Sequence, residues 1–288
     1  MTEEIHPTED RQDMKLPPLV LTTAFALCGA HLLAGCTIQG TPQKAADSGV
    51  ASEELISDLS YVWSAEPGIE LTSGPSVAVR AYVESLERVQ QTGDIDNFYP
   101  GFQTAVAPNA PEGGPRDAIG LWPDTDHAAS SPRVGTSKEH ILNITTQGDS
   151  VTVVVCGWYY GTALRVSEDS YAFNPNNASP PAETAGISAM RVTLARTNGN
   201  PTPDLPPQAG SASQPSDNVF GQWRITGKLA GLGTTSRGLE LWPTYPQDEA
   251  QCIAKAPDPV ERRAFLTSGE HPRSDFPTLP ASPGWPET

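Results

Sequence analysis

Basic residues are scarce in this sequence. Of 288 residues only 18 are Lys or Arg, against 34 Asp or Glu, so the formal net charge is −16. A duplex-binding surface needs clustered cations that displace counterions, and this balance excludes it. Cysteine is equally sparse, with four residues and no Cys-x-x-Cys spacing, which leaves a redox motif or zinc knuckle unsupported. No G-x-S-x-G elbow occurs. Gly231-Leu232-Gly233-Thr234-Thr235-Ser236 lacks the third glycine of a dinucleotide loop, and no helix is expected after it. Ser216-Asp217-Asn218 matches one β-lactamase fragment, but no lysine of the mature chain has a serine three positions before it. Leu-Trp-Pro occurs at 121–123 and 241–243 in unrelated surroundings, so no repeat is inferred. Long spans are missing too. The apolar run Leu19 to Gly35 has 17 residues, about 25 Å as a helix, short of a ~30 Å hydrocarbon core.

That run instead has the proportions of a secretory h-region. Lys15 and Arg11 form a thin positive flank, and five acids within residues 3–13 are unusual ahead of a signal. Met14 is therefore a candidate translation start, with Met1 as the alternative. The run closes on Leu33-Ala34-Gly35-Cys36, an aliphatic residue, two small residues and a cysteine. This resembles the lipobox of bacterial lipoproteins. The resemblance implies cleavage before Cys36, a diacylglyceryl group on its thiol and palmitate-type acylation. Two acyl chains anchor durably where one would be marginal. The segment 36–52, rich in Gly, Ser, Thr, Gln and Ala, reads as a tether. An uncleaved anchor helix is the alternative, and His31 is a departure from an apolar core.

With Cys28 discarded in the leader and Cys36 lipidated, Cys156 and Cys252 remain as a pair in an oxidising compartment. They are expected to form a disulfide; two free buried thiols are the alternative. Without residues 1–35 the chain has 29 acids and 16 bases, so the acidity belongs to the folded part.

Helical spacing is weak over Glu53–Trp63 and clear after Ser73, where Val79, Tyr82, Val83, Leu86 and Val89 make one stripe. Ser73 is the expected N-cap, Pro75 falls in the first turn, and Gly93 marks the exit. Ile95, Phe98, Tyr99 and Phe102 suggest a short second helix. The period then becomes two. Strands are expected at 136–146 and 150–161 around a Gln147-Gly148-Asp149 turn, then at 187–196 and 219–227. Residues 168–181 and 197–218 read as loops. The tail from 232 to 288 is expected to be coil with one helix, capped by Asp258 and closed by Gly269. The resulting organisation is a leader (1–35), a tether (36–52), a domain (53–231) and a tail (232–288).

The expected fold class is α+β, with N-terminal helices on a curved antiparallel sheet of about four strands. Its element order over roughly 73–230 is similar to the cone-shaped nuclear-transport-factor-like fold. Val79-Arg80-Ala81-Tyr82-Val83, Tyr99-Pro100-Gly101-Phe102 and the tail from Cys252 through Glu261-Arg262-Arg263 resemble actinobacterial lipoproteins of unknown function. That likeness implies an envelope location and no defined activity. Strand 150–161 is apolar on both faces, so it is central, and the tail joined through Cys252 is expected to cover the second face.

Candidate chemistry is thin. His140, grouped with Leu142 and Ile144, is the candidate base if it points into the cone; Glu139 must face the other way. Asp124, Asp126 and His127 have the residue types of a divalent-cation loop, although such loops are usually just solvated. Arg191 and Arg224 could receive an anionic ligand or simply pair with acids. The expectation is an extracytoplasmic, membrane-anchored binding or scaffolding module with no catalysis and no cofactor. Its partners would be the membrane through Cys36, an envelope protein or an apolar ligand, and no nucleic acid. The alternatives are a cone-fold hydrolase or isomerase using His140, and an apolar-ligand carrier.

Overall fold

Gly74–Thr92 forms the long helix α1 that the apolar stripe demands. Ser73 stands at its N-cap in an extended conformation, although its side chain makes no capping hydrogen bond. Gly93 ends the helix in the left-handed region (φ 64°), its N–H bonded to Val89 O at 2.7 Å. The computed structural model describes residues 51–175, 181–197, 205–231 and 236–287, and these described residues belong to one compact unit. The leader, Cys28, Cys36 and nearly all of the tether lie outside the described residues, as do parts of the expected loops and residues 232–235.

The class is α+β, with more sheet than expected. Among the described residues there are seven strands: β1 (Leu59–Ala65), β2 (Arg133–Gln147), β3 (Ser150–Trp158), β4 (Thr162–Arg165), β5 (Tyr171–Ala172), β6 (Ile187–Arg196) and β7 (Trp223–Ala230). The β2–β3 hairpin turns at Gly148 and continues antiparallel through β6 to β7. β4 resumes the pairing to β2 where β3 leaves it, and β5 pairs β4. A Cβ on Gly135 (φ 103°) would collide with the carbonyl oxygen of Gly161, so this close approach needs glycine. The last strand starts at Trp223 rather than 219, because Phe220–Trp223 is a turn closed by Trp223 N–H to Phe220 O (3.0 Å).

The expected N-terminal helix over 53–63 is absent. Residues 51–58 make turns and β1 follows, pairing parallel to β2 on the edge opposite β3. Leu59, Tyr61 and Trp63 also obey a two-residue period, and β-branched and aromatic residues favour the pleated form. α1 is followed by a 3-10 turn at Ile95–Asn97 and the short helix α2 (Phe102–Ala105).

The sheet separates two cores. Val151, Val153, Val155, Val192, Leu194 and Ile225 pack toward α1 with Tyr82 and Phe102. Val154, Cys156 and Trp158 face the other way, against Trp242, Tyr245, Cys252, Leu266 and Phe276 of the tail. The tail holds three helices rather than one: α3 (Ser236–Leu241), where no helix is expected, α4 (Tyr245–Ala254) and α5 (Val260–Leu266). Pro259, not Asp258, is the N-cap of α5, and no side chain caps it. Asp258 instead accepts from Lys138 Nζ (2.8 Å) and Tyr160 OH (2.9 Å). The disulfide forms between Cys156 on β3 and Cys252 on α4, with Cα atoms 5.2 Å apart.

Residues 282–286 return to the α1 side. Ser282 pairs with the outer edge of β1, and Trp285 enters the first core. Two buried charges on α1, one helical turn apart, fasten this strap. Arg80 donates to the carbonyls of Leu71 (3.2 Å), Gln208 (3.1 Å), Pro283 (2.6 Å) and Gly284 (3.3 Å). Glu84 accepts from Trp63 Nε1 (2.8 Å), Tyr99 OH (2.8 Å) and Trp285 Nε1 (3.0 Å).

Candidate functional site

The parallel register of β1 on β2 sets Ser64 opposite His140, and Glu66 follows two residues later on the same face. The imidazole lies between them: Nδ1 is 2.9 Å from Ser64 Oγ and Nε2 is 2.9 Å from Glu66 Oε1. Because a carboxylate only accepts, the network assigns the proton to Nε2 and leaves Nδ1 as an acceptor toward the hydroxyl. Trp158 stacks on the ring at 5.4 Å and 25°. Lys255, at the end of α4, reaches Glu66 Oε1 at 2.7 Å. Lys255 first and His140 second hold the Glu66 carboxyl below its usual range. His140 is nearly buried, whereas Ser64 is exposed. Ser64 Oγ also donates to Glu139 O at 3.3 Å, a second and longer acceptor contact for the same hydroxyl.

His140 therefore does not face a helix-side concavity. It lies on the tail side of the sheet with Leu142, which belongs to the second core. Ile144 does not share its face as expected. A bulge between Ile141 and Asn143 returns Ile144 to the first core beside Ile141. A cleft of about 730 Å³, whose walls include Tyr61, Arg88, Tyr99, Gln214 and Leu279, does not have His140 among its lining residues.

Glu139 does face away from His140, into the first core. There it meets Ser137 Oγ (2.9 Å) and, through Coulomb and hydrogen-bond coupling, Glu87. Burial foremost, with repulsion from Glu84, pushes the Glu87 carboxyl up to about 7 against the pull of Arg133. Burial and Glu87 raise Glu139 well above the usual carboxylate range. The folded state thus retains protons that the unfolded chain has lost, from near the ordinary carboxylate pKa up to about 7. The associated stability is complete below that window and declines as pH rises through it, by up to about 1.4 kcal/mol per pH unit per extra proton. We expect the urea midpoint to be higher at pH 5.5 than at pH 8, with Glu139→Gln flattening the dependence. A midpoint constant or rising over this range contradicts the buried pair.

The other candidates are not assembled into sites. Asp124 and His127 are exposed, with 3.4 Å between Oδ2 and Nδ1, and Asp124 Oδ1 accepts from the Asp126 N–H at 2.9 Å. These contacts, the backbone one first, lower the Asp124 pKa. They describe a self-satisfied loop, and among the described residues no group of three or more acidic, His or Cys side chains is placed to hold a metal. Arg191 lies over Trp242 at 5.5 Å, and burial lowers its pKa against Asp117 and Asp248. Arg224 donates to Thr104 O at 3.5 Å. In the β6–β7 register Arg191 is opposite Leu229, five positions along β7 from Arg224, so the two are about 15 Å apart.

Ser64, Glu66 and Lys255 were not expected at a site. The available signal was the two-residue alternation of Ser64 and Glu66 with Leu59, Tyr61 and Trp63, which a helical reading of that segment hides. No family model, curated protein or solved structure matches this chain.

Proposed function

We propose that this chain is a lipid-anchored protein of the cell envelope, held on the extracytoplasmic face through Cys36, whose folded unit serves as a binding or scaffolding module. The observation that carries the reading is Leu33-Ala34-Gly35-Cys36 at the end of a short apolar run and ahead of a polar tether. The Cys156–Cys252 bridge supports it, since structural disulfides persist in oxidising compartments. No described helix is long and apolar enough to cross a membrane. Acidity favours a protein partner over polyanions. The cone-type architecture belongs to the same reading. It draws support from a long helix on an antiparallel sheet, while β1, ahead of that helix and parallel to β2, departs from it.

Replacing Cys36 with Ala is expected to move the protein from the membrane to the soluble fraction and to abolish palmitate incorporation. Unchanged membrane retention defeats the anchor. The carrier alternative has less support, because the space between α1 and the sheet is filled by the first core. The second reading, hydrolysis at His140, is favoured by one observation: its imidazole is held between a hydroxyl and a carboxylate.

A further inference from the structure

We propose that Ser64 is the nucleophile of an acyl-transfer site on the tail side of the sheet, with His140 as its base, Glu66 orienting that base, and carboxylic esters as substrates. The proposal rests on the second reading above and names its nucleophile and substrate class. Nucleophilic catalysis at serine needs a base in hydrogen-bond reach, and a third group that holds the base in the right tautomer. Both contacts are 2.9 Å here. The ring nitrogens are exchanged relative to the more familiar order, with the hydroxyl on Nδ1 and the carboxylate on Nε2. The chemistry requires only that one nitrogen accepts while the other donates. Trp158 and the β1–β2 register fix the imidazole plane.

We assign the oxyanion donor to the backbone amide that follows Ser64. Glu66 N–H binds Ile141 O across the ladder, whereas Trp63 N–H points the other way, to Ser282 O. By alternation the amide of Ala65, directly after Ser64, points outward at the edge of β1. In the reaction Ser64 Oγ bonds to the ester carbonyl carbon as its proton passes to Nδ1. The ester C–O bond then breaks and the departing alkoxide takes that proton from Nδ1. Water then loses a proton to the same nitrogen and bonds to the acyl carbon; the Ser64 Oγ–C bond breaks, the acid leaves, and Ser64 Oγ takes the proton back from Nδ1. No oxidant or reductant is involved. Because Ser64 is exposed while its base is nearly buried, the ester carbonyl reaches Ser64 from the open face rather than through an enclosed pocket.

The test uses the full chain purified in detergent, a fluorophosphonate probe with peptide mass mapping, and p-nitrophenyl butyrate hydrolysis. We expect one phosphonyl adduct on Ser64, a pH-dependent rate, and roughly hundredfold slower labelling with loss of that pH dependence in His140→Asn. Ser64→Ala, a change at an exposed position, is expected to keep its thermal midpoint and lose adduct and hydrolysis together. Hydrolysis that persists in Ser64→Ala, with no adduct on Ser64 in the parent, overturns the nucleophile while leaving a His140 hydrolase standing. A folded parent with neither adduct nor hydrolysis overturns both, and Ser64 is then only a hydrogen-bond partner of a packed histidine.

Discussion

Arg80→Met is expected to lower the unfolding free energy by about 3–5 kcal/mol, the range for breaking a buried charge arrangement by removing one partner. Arg80 is fully buried, and its guanidinium lies 4.3 Å from the Trp285 ring while donating to four carbonyls from three separate segments. Methionine retains much of the apolar stem but supplies no donors, so those carbonyls lose a charged partner. Glu84 simultaneously loses the cation that opposes its burial-driven rise in pKa. Hydrogen exchange should localise the damage, because Ala212 and Trp285 exchange N–H···O bonds of 3.1 and 2.8 Å that depend on the strap's position. Faster exchange at those two amides, with β3 and β6 still protected at native levels, is the expected pattern. A urea midpoint that shifts by the equivalent of less than 1 kcal/mol shows that Arg80 is not the fastener.

The second large effect belongs to the disulfide. Replacing both Cys156 and Cys252 with Ala is expected to cost about 4–5 kcal/mol in the chain-entropy model, since the bridge closes a loop across a sequence separation of 96. The bond joins the middle of the sheet to α4, beside the Trp158 Nε1 to Cys252 O hydrogen bond of 2.9 Å. Both cysteines are fully buried, so dithiothreitol should reduce them only as fast as the tail opens. Urea unfolding of the oxidised parent and of the double variant, followed by tryptophan fluorescence, measures the difference. Equal midpoints mean that the apolar contacts of Trp242, Tyr245 and Phe276 hold the tail unaided. Reduction as fast as that of a small free disulfide contradicts its burial.

The elements that were legible are those whose local signals agree. α1 has a stripe, an early proline and a terminal glycine; β2 and β3 have alternation on both sides of a Gly turn; and β6 runs over the residues expected. The Cys156–Cys252 pair followed from compartment and parity. β1 was misread because Leu55, Ile56, Leu59, Val62 and Trp63 satisfy a helical spacing while Leu59, Tyr61 and Trp63 satisfy a strand spacing, and only pairing with β2 decides between them. β4 and β5 are short and flank a polar loop, so they have too little pattern to detect. In the tail, α4 has few buried side chains, and its apolar partners lie almost a hundred residues earlier. The candidate site suffered from the same misreading. His140 was visible as a residue, but Ser64 and Glu66 acquire meaning only when β1 lies parallel to β2, a tertiary fact. The bulge after Ile141 likewise reassigns Ile144 without any glycine or proline to announce it.

The strap around Trp285 has a consequence for the order in which the molecule can mature. Trp285 Nε1 closes on Glu84 across 201 positions of sequence, and Arg80 waits just as long for the carbonyls of Pro283 and Gly284. Synthesis from the amino end exposes α1 long before these partners emerge. Until then the guanidinium has only the carbonyls of Leu71 and Gln208 and the carboxylate only Trp63 and Tyr99, so the burial of both charges is incompletely compensated. Completion of the first core therefore waits for the carboxyl-terminal segment, and a chain ending before residue 282 leaves it without Trp285.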